Sequence, residues 1–160
     1  MTELEVENRE IERKFLPAND GWRGLAAGRS IRQGYLCIDP RRTVRVRMSE
    51  DQAWLTIKGQ SRGAVRAEFE YPIAAQEAEY MLEHLALRPV LEKIRYSISL
   101  AGFLWEVDEF LGDNQGLVLI EIELEREDAQ FPRPDWLGQE VTGDRRYYNA
   151  NLLRRPFKSF

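Results

Sequence analysis

The sequence of 160 residues is poor in the residues that build disulfides, zinc sites and histidine-based active sites: it has one cysteine, Cys37, and one histidine, His84. A lone cysteine excludes an internal disulfide framework and a cysteine-rich zinc site, and it favours a reducing compartment. No apolar run approaches the roughly 20 residues that cross a bilayer, and the first residues are acidic where a signal peptide would be basic. We therefore expect a cytoplasmic protein with no membrane partner.

The net charge is slightly negative, with 23 basic and 27 acidic side chains and a formal charge of −4. This balance argues against a basic protein that wraps nucleic acid, although it permits a local basic site. The length matches a single domain over residues 1–160, with residues 1–8 as an N-terminal extension and residues 131–160 as a C-terminal segment packing on the rest.

Most of the chain alternates polar and apolar residues with the two-residue period of a strand. This pattern predicts about eight strands, at residues 10–15, 31–38, 43–48, 53–58, 65–71, 90–100, 103–110 and 116–125. Residues 74–87 instead have apolar side chains at helical spacing and should form the main helix, and residues 145–153 a short terminal helix. Because the connections are short and rich in turn residues, neighbouring strands should be antiparallel, and the fold all-β-dominated α+β.

The polar positions of these strands are charged, and side chains two residues apart point to the same face. Such alternation is typical of a sandwich or barrel whose charged face lies in water, and equally of a closed barrel whose charged face lines the bore. Periodicity alone does not separate the two. Two observations favour a charged bore: the charges are sorted by strand into wholly basic and wholly acidic pairs, and these strands hold three of only four lysines, Lys14, Lys58 and Lys93.

Charges sorted in this way have a definite chemistry. Acidic pairs at i, i+2 spacing, such as Glu121 and Glu123, supply oxygen ligands for a hard cation such as Mg²⁺ or Mn²⁺. Basic pairs such as Arg45 and Arg47 bind phosphate oxygens. Together they predict a site for a metal and a polyphosphate.

The strand motifs resemble, in order, those of the CYTH domain family, also called the triphosphate tunnel metalloenzymes. The ExExK signature that opens the family is present at Glu10, Glu12 and Lys14. The other motifs follow: the second-strand segment at 32–36, RxR at Arg45 and Arg47, TxK at Thr56 and Lys58, an acidic strand at Glu68 and Glu70, KxR at Lys93 and Arg95, an aspartate strand at Asp108, ExE at Glu121 and Glu123, and a closing segment at 138–149. The closing segment is similar to that of the short bacterial tripolyphosphatase-like members.

The resemblance implies a closed eight-stranded antiparallel β-barrel that forms a tunnel, with a few flanking helices. Inside it, carboxylates would hold Mg²⁺ or Mn²⁺, and basic side chains would hold a triphosphate. The implied metal ligands are Glu10, Glu12, Asp108, Glu121, Glu123 and Glu70, and the implied substrate ligands are Lys14, Arg45, Arg47, Lys58, Lys93 and Arg95. The alternative role for each of these residues is a structural ion pair with a facing charge.

The resemblance further implies that Lys14 and Tyr35 act as a catalytic pair near the scissile phosphate, although Tyr35 could equally be a packed barrel residue. The expected reaction is metal-dependent hydrolysis of inorganic tripolyphosphate to diphosphate and phosphate. His84 lies on the predicted helix, which disfavours a histidine-based mechanism.

Several alternatives stay open on the sequence. Family members also include thiamine and nucleoside triphosphatases and class IV-type adenylate cyclases, and a weakly catalytic polyphosphate- or nucleotide-binding module is a further possibility. Organic groups could stack on Trp22, Trp54, Trp105 or Trp136. Barrels of this family often pair, which leaves a homodimer open, and the sequence does not decide whether Arg145 or Arg146 reaches the tunnel.

Overall fold

The computed structural model describes residues 8–160, so most of the N-terminal extension expected at residues 1–8 lies outside the described residues. Within this part of the chain are nine strands and a few short helices. The strands are β1 Arg9–Pro17, β2 Gly28–Asp39, β3 Arg42–Ser49, β4 Gln52–Gly59, β5 Val65–Ile73, β6 Leu91–Leu100, β7 Phe103–Phe110, β8 Val118–Glu123 and β9 Leu137–Glu140. The first eight correspond to the eight predicted strands, and β9 was not predicted.

All pairings between neighbouring strands are antiparallel, and the strands form a closed ring in the order β5-β4-β3-β2-β6-β7-β8-β1. The ring closes because β1 pairs with β8 on one side and with β5 on the other. β5 pairs only with the first residues of β1, Arg9–Ile11, whereas β9 pairs with its end, from Phe15 to Pro17. Between these two pairings, the backbone N–H of Glu12 donates to the carbonyl of Ala64 and the N–H of Val141 donates to the carbonyl of Lys14, so residues next to β5 and β9 continue the contact with β1.

The alternation predicted from the sequence sorts side chains between the inside and the outside of the ring. Outward residues of β1, β7 and β8 pack with tryptophans from the loops in one buried cluster, whose members include Ile11, Val107, Ile120, Ile122, Trp22 and Trp136. Charged residues of the same strands point inward. Burying apolar surface away from water stabilises the folded state. The outer clusters therefore supply hydrophobic stabilisation that the charged side chains of the interior do not.

A helix covers the outer face of β2–β4. It runs as α1 over Ala75–Tyr80 and continues through a wider π-type turn to Leu85. Its Ala78 and Leu82 pack on Val46 and Met48 of β3. The helix approaches β2 so closely that a Cβ on Gly34 would lie 2.8 Å from Ala86 Cβ and 2.9 Å from Leu82 Cδ2, so the helix or its side chains would have to shift. The predicted helix at 74–87 is thus confirmed, with its end two residues earlier.

The C-terminal segment closes one end of the ring. Inward apolar residues of β6–β8, among them Leu91, Phe110 and Leu119, pack there with Tyr147 and Leu152. The sequence predicted one continuous helix at 145–153, which is wrong. The structure has two separate elements there, a 3₁₀ turn at Arg145–Tyr147 and the short helix α2 at Asn149–Leu152. The break arises because Tyr148, between them, has an extended backbone with φ −71° and ψ 128°. No helix among residues 8–160 is long and apolar enough to cross a membrane.

Candidate active site

A cavity of about 220 Å³ lies inside the ring, and its lining includes exposed residues of the β2–β3 and β4–β5 connections, such as Pro40 and Gln60. We call it the central cavity. Nine of the residues predicted for the site line it, namely Glu10, Glu12, Lys14, Tyr35, Arg45, Lys58, Lys93, Arg95 and Glu121. Four others, Arg47, Glu70, Asp108 and Glu123, also belong to inward faces by strand alternation but are not part of its lining. The charged faces therefore line the bore of the ring.

Glu10 and Lys58 form one ion pair of the central cavity. The ammonium Nζ of Lys58 donates to Glu10 Oε2 at 2.8 Å and lies 3.2 Å from a carboxylate oxygen of Glu68. Burial alone would raise the pKa of Glu10, but the charge of the Lys58 ammonium and the hydrogen bonds from Lys58 and Glu12 together lower it. Burial acts to lower the pKa of Lys58, but the carboxylates of Glu10 and Glu12 raise it. Both side chains are thus held charged.

Lys14 connects the ring to the C-terminal segment. Its ammonium lies 3.3 Å from Glu121 Oε1 and donates to the backbone oxygen of Tyr147, also at 3.3 Å. Its backbone N–H donates to Thr142 Oγ1 at 2.9 Å. Burial acts to lower the pKa of Lys14, but Glu121 and Glu12 raise it. The signature lysine is therefore a fixed positive charge at the end of the central cavity that the C-terminal segment closes.

A buried cluster surrounds Asp108. Its carboxylate receives two hydrogen bonds from the Arg95 guanidinium, at 2.7 and 2.8 Å, and lies 2.6 Å from Lys93 Nζ. These cations outweigh the effect of burial and keep the pKa of Asp108 well below its usual range. Burial lowers the pKa of Lys93 to about 8 even though Asp108 opposes that shift. Arg95 also pairs with Glu106.

Two of the predicted metal ligands lie where their charged form is disfavoured. Among residues 8–160, Glu12 forms no ion pair, and burial together with the Glu121 and Glu10 carboxylates raises its pKa well above the usual value. The pKa of Glu123 is raised as well, by burial and then by Glu10 and Glu68. A positive charge placed among these carboxylates would relieve their repulsion.

Arg45, Arg47 and Glu70 meet on neighbouring strands. The guanidinium groups of Arg45 and Arg47 lie 3.8 and 3.5 Å from Glu70 oxygens, and the hydroxyl of Thr56 donates to Glu70 at 2.8 Å. Burial, followed by the neighbouring Arg45 and Arg95, lowers the pKa of Arg47. Glu70 is thus engaged by two cations and a hydroxyl.

The carboxylates suit a divalent cation by their chemistry, but they are arranged as ion pairs. Glu10, Glu12 and Glu121 line one cavity with hard oxygen donors, as Mg²⁺ and Mn²⁺ require. Among the described residues, however, no three acidic, histidine or cysteine side chains converge closely enough to form a ready-made metal centre. The donor set therefore fits a cation that separates Glu10 and Glu121 from their lysine partners.

The structure also brings in residues that the sequence interpretation left without a role. Arg145 lines the central cavity, whereas Arg146 points away and binds Asp144 at 2.7 Å. Gln33 and Asn149, 116 residues apart, meet beside Lys93. Gln33 falls in the recognised 32–36 segment, but no sequence signal links it to Asn149.

The tryptophans are mostly core residues. Trp22, Trp105 and Trp136 are 0%, 1% and 5% exposed, which leaves them no face for an organic ligand. Trp54, by contrast, lies on the inward face of β4 beneath the guanidinium of Arg47, 5.1 Å from its ring centre.

Known proteins with the same architecture supply an independent comparison. The model of the CYTH domain matches residues 8–155. The chain is 52% identical over 152 residues to an inorganic triphosphatase of Acetivibrio thermocellus, covering 95% of this chain and 97% of that protein. It is 39% identical to an inorganic triphosphatase of Nitrosomonas europaea, covering 89% and 95%. The crystal structure of an inorganic triphosphatase superposes with a TM-score of 0.64 at 38% identity, covering 90% of this chain and 93% of that one. The chain therefore belongs to the CYTH domain family.

Proposed function

We propose that this protein hydrolyses inorganic tripolyphosphate to diphosphate and phosphate with the help of Mg²⁺ or Mn²⁺. The observation that carries the proposal is the joint presence, in one enclosed cavity, of several cations that suit phosphate and three carboxylates that suit a metal. The relatives at 52% and 39% identity bear the name inorganic triphosphatase, which supports the same substrate.

The ion pairs around the central cavity hold its charges in place before substrate arrives. A metal–triphosphate complex carries both kinds of charge, so it can replace both halves of each pair. Lys58 and Lys14 would then turn from Glu10 and Glu121 to phosphate oxygens, and the carboxylates would turn to the cation. Because each charge exchanges one partner for another, substrate binding leaves few buried charges unpaired.

Arg45, Lys58, Lys93 and Arg95 would bind and orient the phosphate chain, with Arg47 and Arg145 at its approaches. Their fixed charges would neutralise the diphosphate that leaves, in a cavity where water screens weakly. Lys14 and Tyr35 would act together at the phosphorus that is attacked. Glu10, Glu12 and Glu121 would hold the cation, with Glu123, Asp108 and Glu70 as further carboxylates nearby. When bound, the cation supplies charge neutralisation and lowers the pKa of a water molecule.

Organic triphosphates are the second class of substrate to test. Three of the four tryptophans are buried in the core, so the part of the chain described offers little aromatic surface for a base or a thiazole ring. The short chain and the C-terminal segment packed beside Lys14 also favour a substrate without an organic group. Thiamine triphosphate and ATP should therefore react more slowly than tripolyphosphate.

The decisive experiment measures phosphate release from tripolyphosphate, diphosphate, ATP, thiamine triphosphate and long-chain polyphosphate, with Mg²⁺, Mn²⁺ or excess EDTA. We expect the highest kcat/KM for tripolyphosphate and no turnover in EDTA. Faster hydrolysis of ATP, or formation of cyclic AMP, would contradict the substrate assignment. Tight binding of tripolyphosphate without turnover would indicate a binding module instead.

Two further parts of the proposal concern the cellular location and the oligomeric state of the enzyme. A cytoplasmic location is consistent with the single cysteine, Cys37. A homodimer would place two independent cavities in one particle, and light scattering on the purified protein tests it directly.

A further inference from the structure

Gln33 is a polar side chain at a fully buried position of β2, with 0% of its surface exposed. Its Nε2 donates to Asn149 Oδ1 at 2.7 Å, and its Oε1 has no partner among residues 8–160. A buried carboxamide destabilises the fold unless its groups are hydrogen-bonded. If packing were its only role, an apolar residue at this position would give a more stable protein. The polar contact of Gln33 with Asn149 therefore calls for a functional explanation.

Asn149 receives two hydrogen bonds on a single atom. Its Oδ1 accepts from Gln33 Nε2 and, at 3.1 Å, from Lys93 Nζ. An ammonium group only donates, so Lys93 requires the oxygen end of Asn149 to face it. That orientation in turn requires Gln33 to present its nitrogen. The direction of both carboxamides is thus determined by one buried cation.

This arrangement leaves the two N–H groups of Asn149 Nδ2 unused by either contact. Asn149 contacts Lys93 and lines the central cavity, whose lining also includes Arg145 and Lys14. An N–H group beside a buried cation, in the lining of a cavity with several basic side chains, is suited to donate to a phosphate oxygen.

We propose that Asn149 is a further substrate-binding residue, which donates from Nδ2 to a phosphate oxygen, and that Gln33 is its positioning residue. This inference rests on the proposed function, because it takes a polyphosphate as the ligand. Gln33 does not touch the substrate. It acts by holding Oδ1 of Asn149 away from the phosphate, so that the donor end faces the central cavity.

Two substitutions of Asn149 test the binding role. Asn149→Asp keeps an oxygen acceptor for Gln33 and Lys93 but lacks the N–H donor, so the protein should fold with an unchanged or higher Tm. Asn149→Leu lacks the donor without adding negative charge. Each should lower kcat/KM for tripolyphosphate about tenfold or more, mainly through KM, and each should weaken tripolyphosphate binding measured by calorimetry in EDTA.

The positioning role predicts a specific non-additivity. Gln33→Met keeps the length of the side chain but removes the hydrogen bond, so Asn149 is free to turn. We expect kcat/KM to fall by severalfold in Gln33→Met alone, with little further loss when Gln33→Met is added to Asn149→Leu. A purely structural role of Gln33 would instead lower Tm in both backgrounds and lower kcat/KM by the same factor in both.

Gln76→Leu, which removes an exposed carboxamide from α1 on the outside of the ring, is the matched control and should leave kcat/KM and Tm unchanged. If both Asn149 variants retain kcat/KM within twofold, or if only Asn149→Asp loses it, the inference is wrong while the proposed function stands. A wild-type protein that neither binds nor hydrolyses tripolyphosphate would contradict the proposed function itself, and the inference with it.

Discussion

The Lys93 ammonium lies 2.6 Å from Asp108 Oδ2, and the two side chains are only 1% and 0% exposed. Arg95 binds the same carboxylate through two parallel hydrogen bonds. Asp108 thus holds two cations inside the ring, one of which, Lys93, also contacts Asn149. This relationship makes Asp108 an organiser of the basic side of the central cavity.

Removing the Asp108 charge should destabilise the protein strongly. In Asp108→Asn two buried cations lose their shared counterion, and breaking a buried pair in this way costs about 3–5 kcal/mol. Urea unfolding in EDTA measures the effect. The matched control is Asp128→Asn, whose partner Arg126 is 75% exposed and whose loss should cost less than about 1 kcal/mol. Equal effects in the two variants would contradict the role of Asp108.

Glu12→Gln should separate stability from activity. Glu12 is repelled by Glu10 and Glu121, so neutralising it should leave the Tm of the metal-free protein unchanged or raise it. It should also lower kcat for tripolyphosphate about 100-fold or more, because a ligand of the proposed metal site would be lost. Glu109→Gln is the control, since Glu109 pairs with the exposed Arg23 and should retain activity. A Glu12→Gln variant with full activity would remove Glu12 from the metal site.

Acid should destabilise the metal-free protein partly through Glu121. Burial acts to raise the pKa of Glu121, but Lys14 and the other cations lower it from 4.5 to about 2. The unfolded chain therefore binds more protons than the folded protein between these pH values, so the free energy of unfolding decreases as the pH falls through that window. Above pH 4.5 the contribution is fully present.

The measurement is urea unfolding in EDTA at several pH values between 2 and 6. Glu121→Gln should be less stable than the wild type at pH 6, and the difference should narrow as the pH falls. The exposed Glu127→Gln should give a curve parallel to that of the wild type. A constant difference between Glu121→Gln and the wild type would show that the ion pair with Lys14 has little effect.

Substitutions on the two sides of the central cavity should differ in their kinetics. Arg45→Ala should mainly raise KM, because its guanidinium would bind the phosphate chain in the ground state. Lys14→Ala and Tyr35→Phe should mainly lower kcat, about 10- to 1000-fold, because we place them at the reacting phosphorus. Steady-state kinetics with tripolyphosphate at saturating Mg²⁺ distinguishes the two classes. A loss confined to KM in Lys14→Ala would contradict its catalytic role.

The positions of the first eight strands and the direction of their charged faces could be predicted because they depend on local alternation. In β3, Arg45 and Arg47 alternate with Val44, Val46 and Met48, so the orientation of the two arginines follows from the two-residue period once the ring closes. The resemblance to CYTH motifs then identified the ring as a tunnel. Helix α1 was equally predictable, since Ala78 and Leu82 follow a helical period.

The features that escaped prediction depend on contacts between distant residues. β9 is four residues long and has no alternating pattern, and it forms only because β1 offers an open edge beyond Phe15. Asn149 shares no local signal with Gln33. The choice of Arg145 over Arg146 depends on Asp144, which binds the backbone and side chain of Arg146 and so directs it away from the cavity.

The pairing of β1 with β8 and β9 also has a consequence for how the protein is made. Among the described strands, β1 is the first to leave the ribosome and the one that closes the ring, and two of its partners, β8 and β9, lie more than a hundred residues later in the chain. Contacts this distant in sequence form slowly, because the intervening chain must be ordered first. Until then, Glu10, Glu12 and Lys14 remain hydrated on a chain that has no interior. The nascent protein therefore acquires its central cavity only after β8, β9 and the segment around Tyr147 have been synthesised.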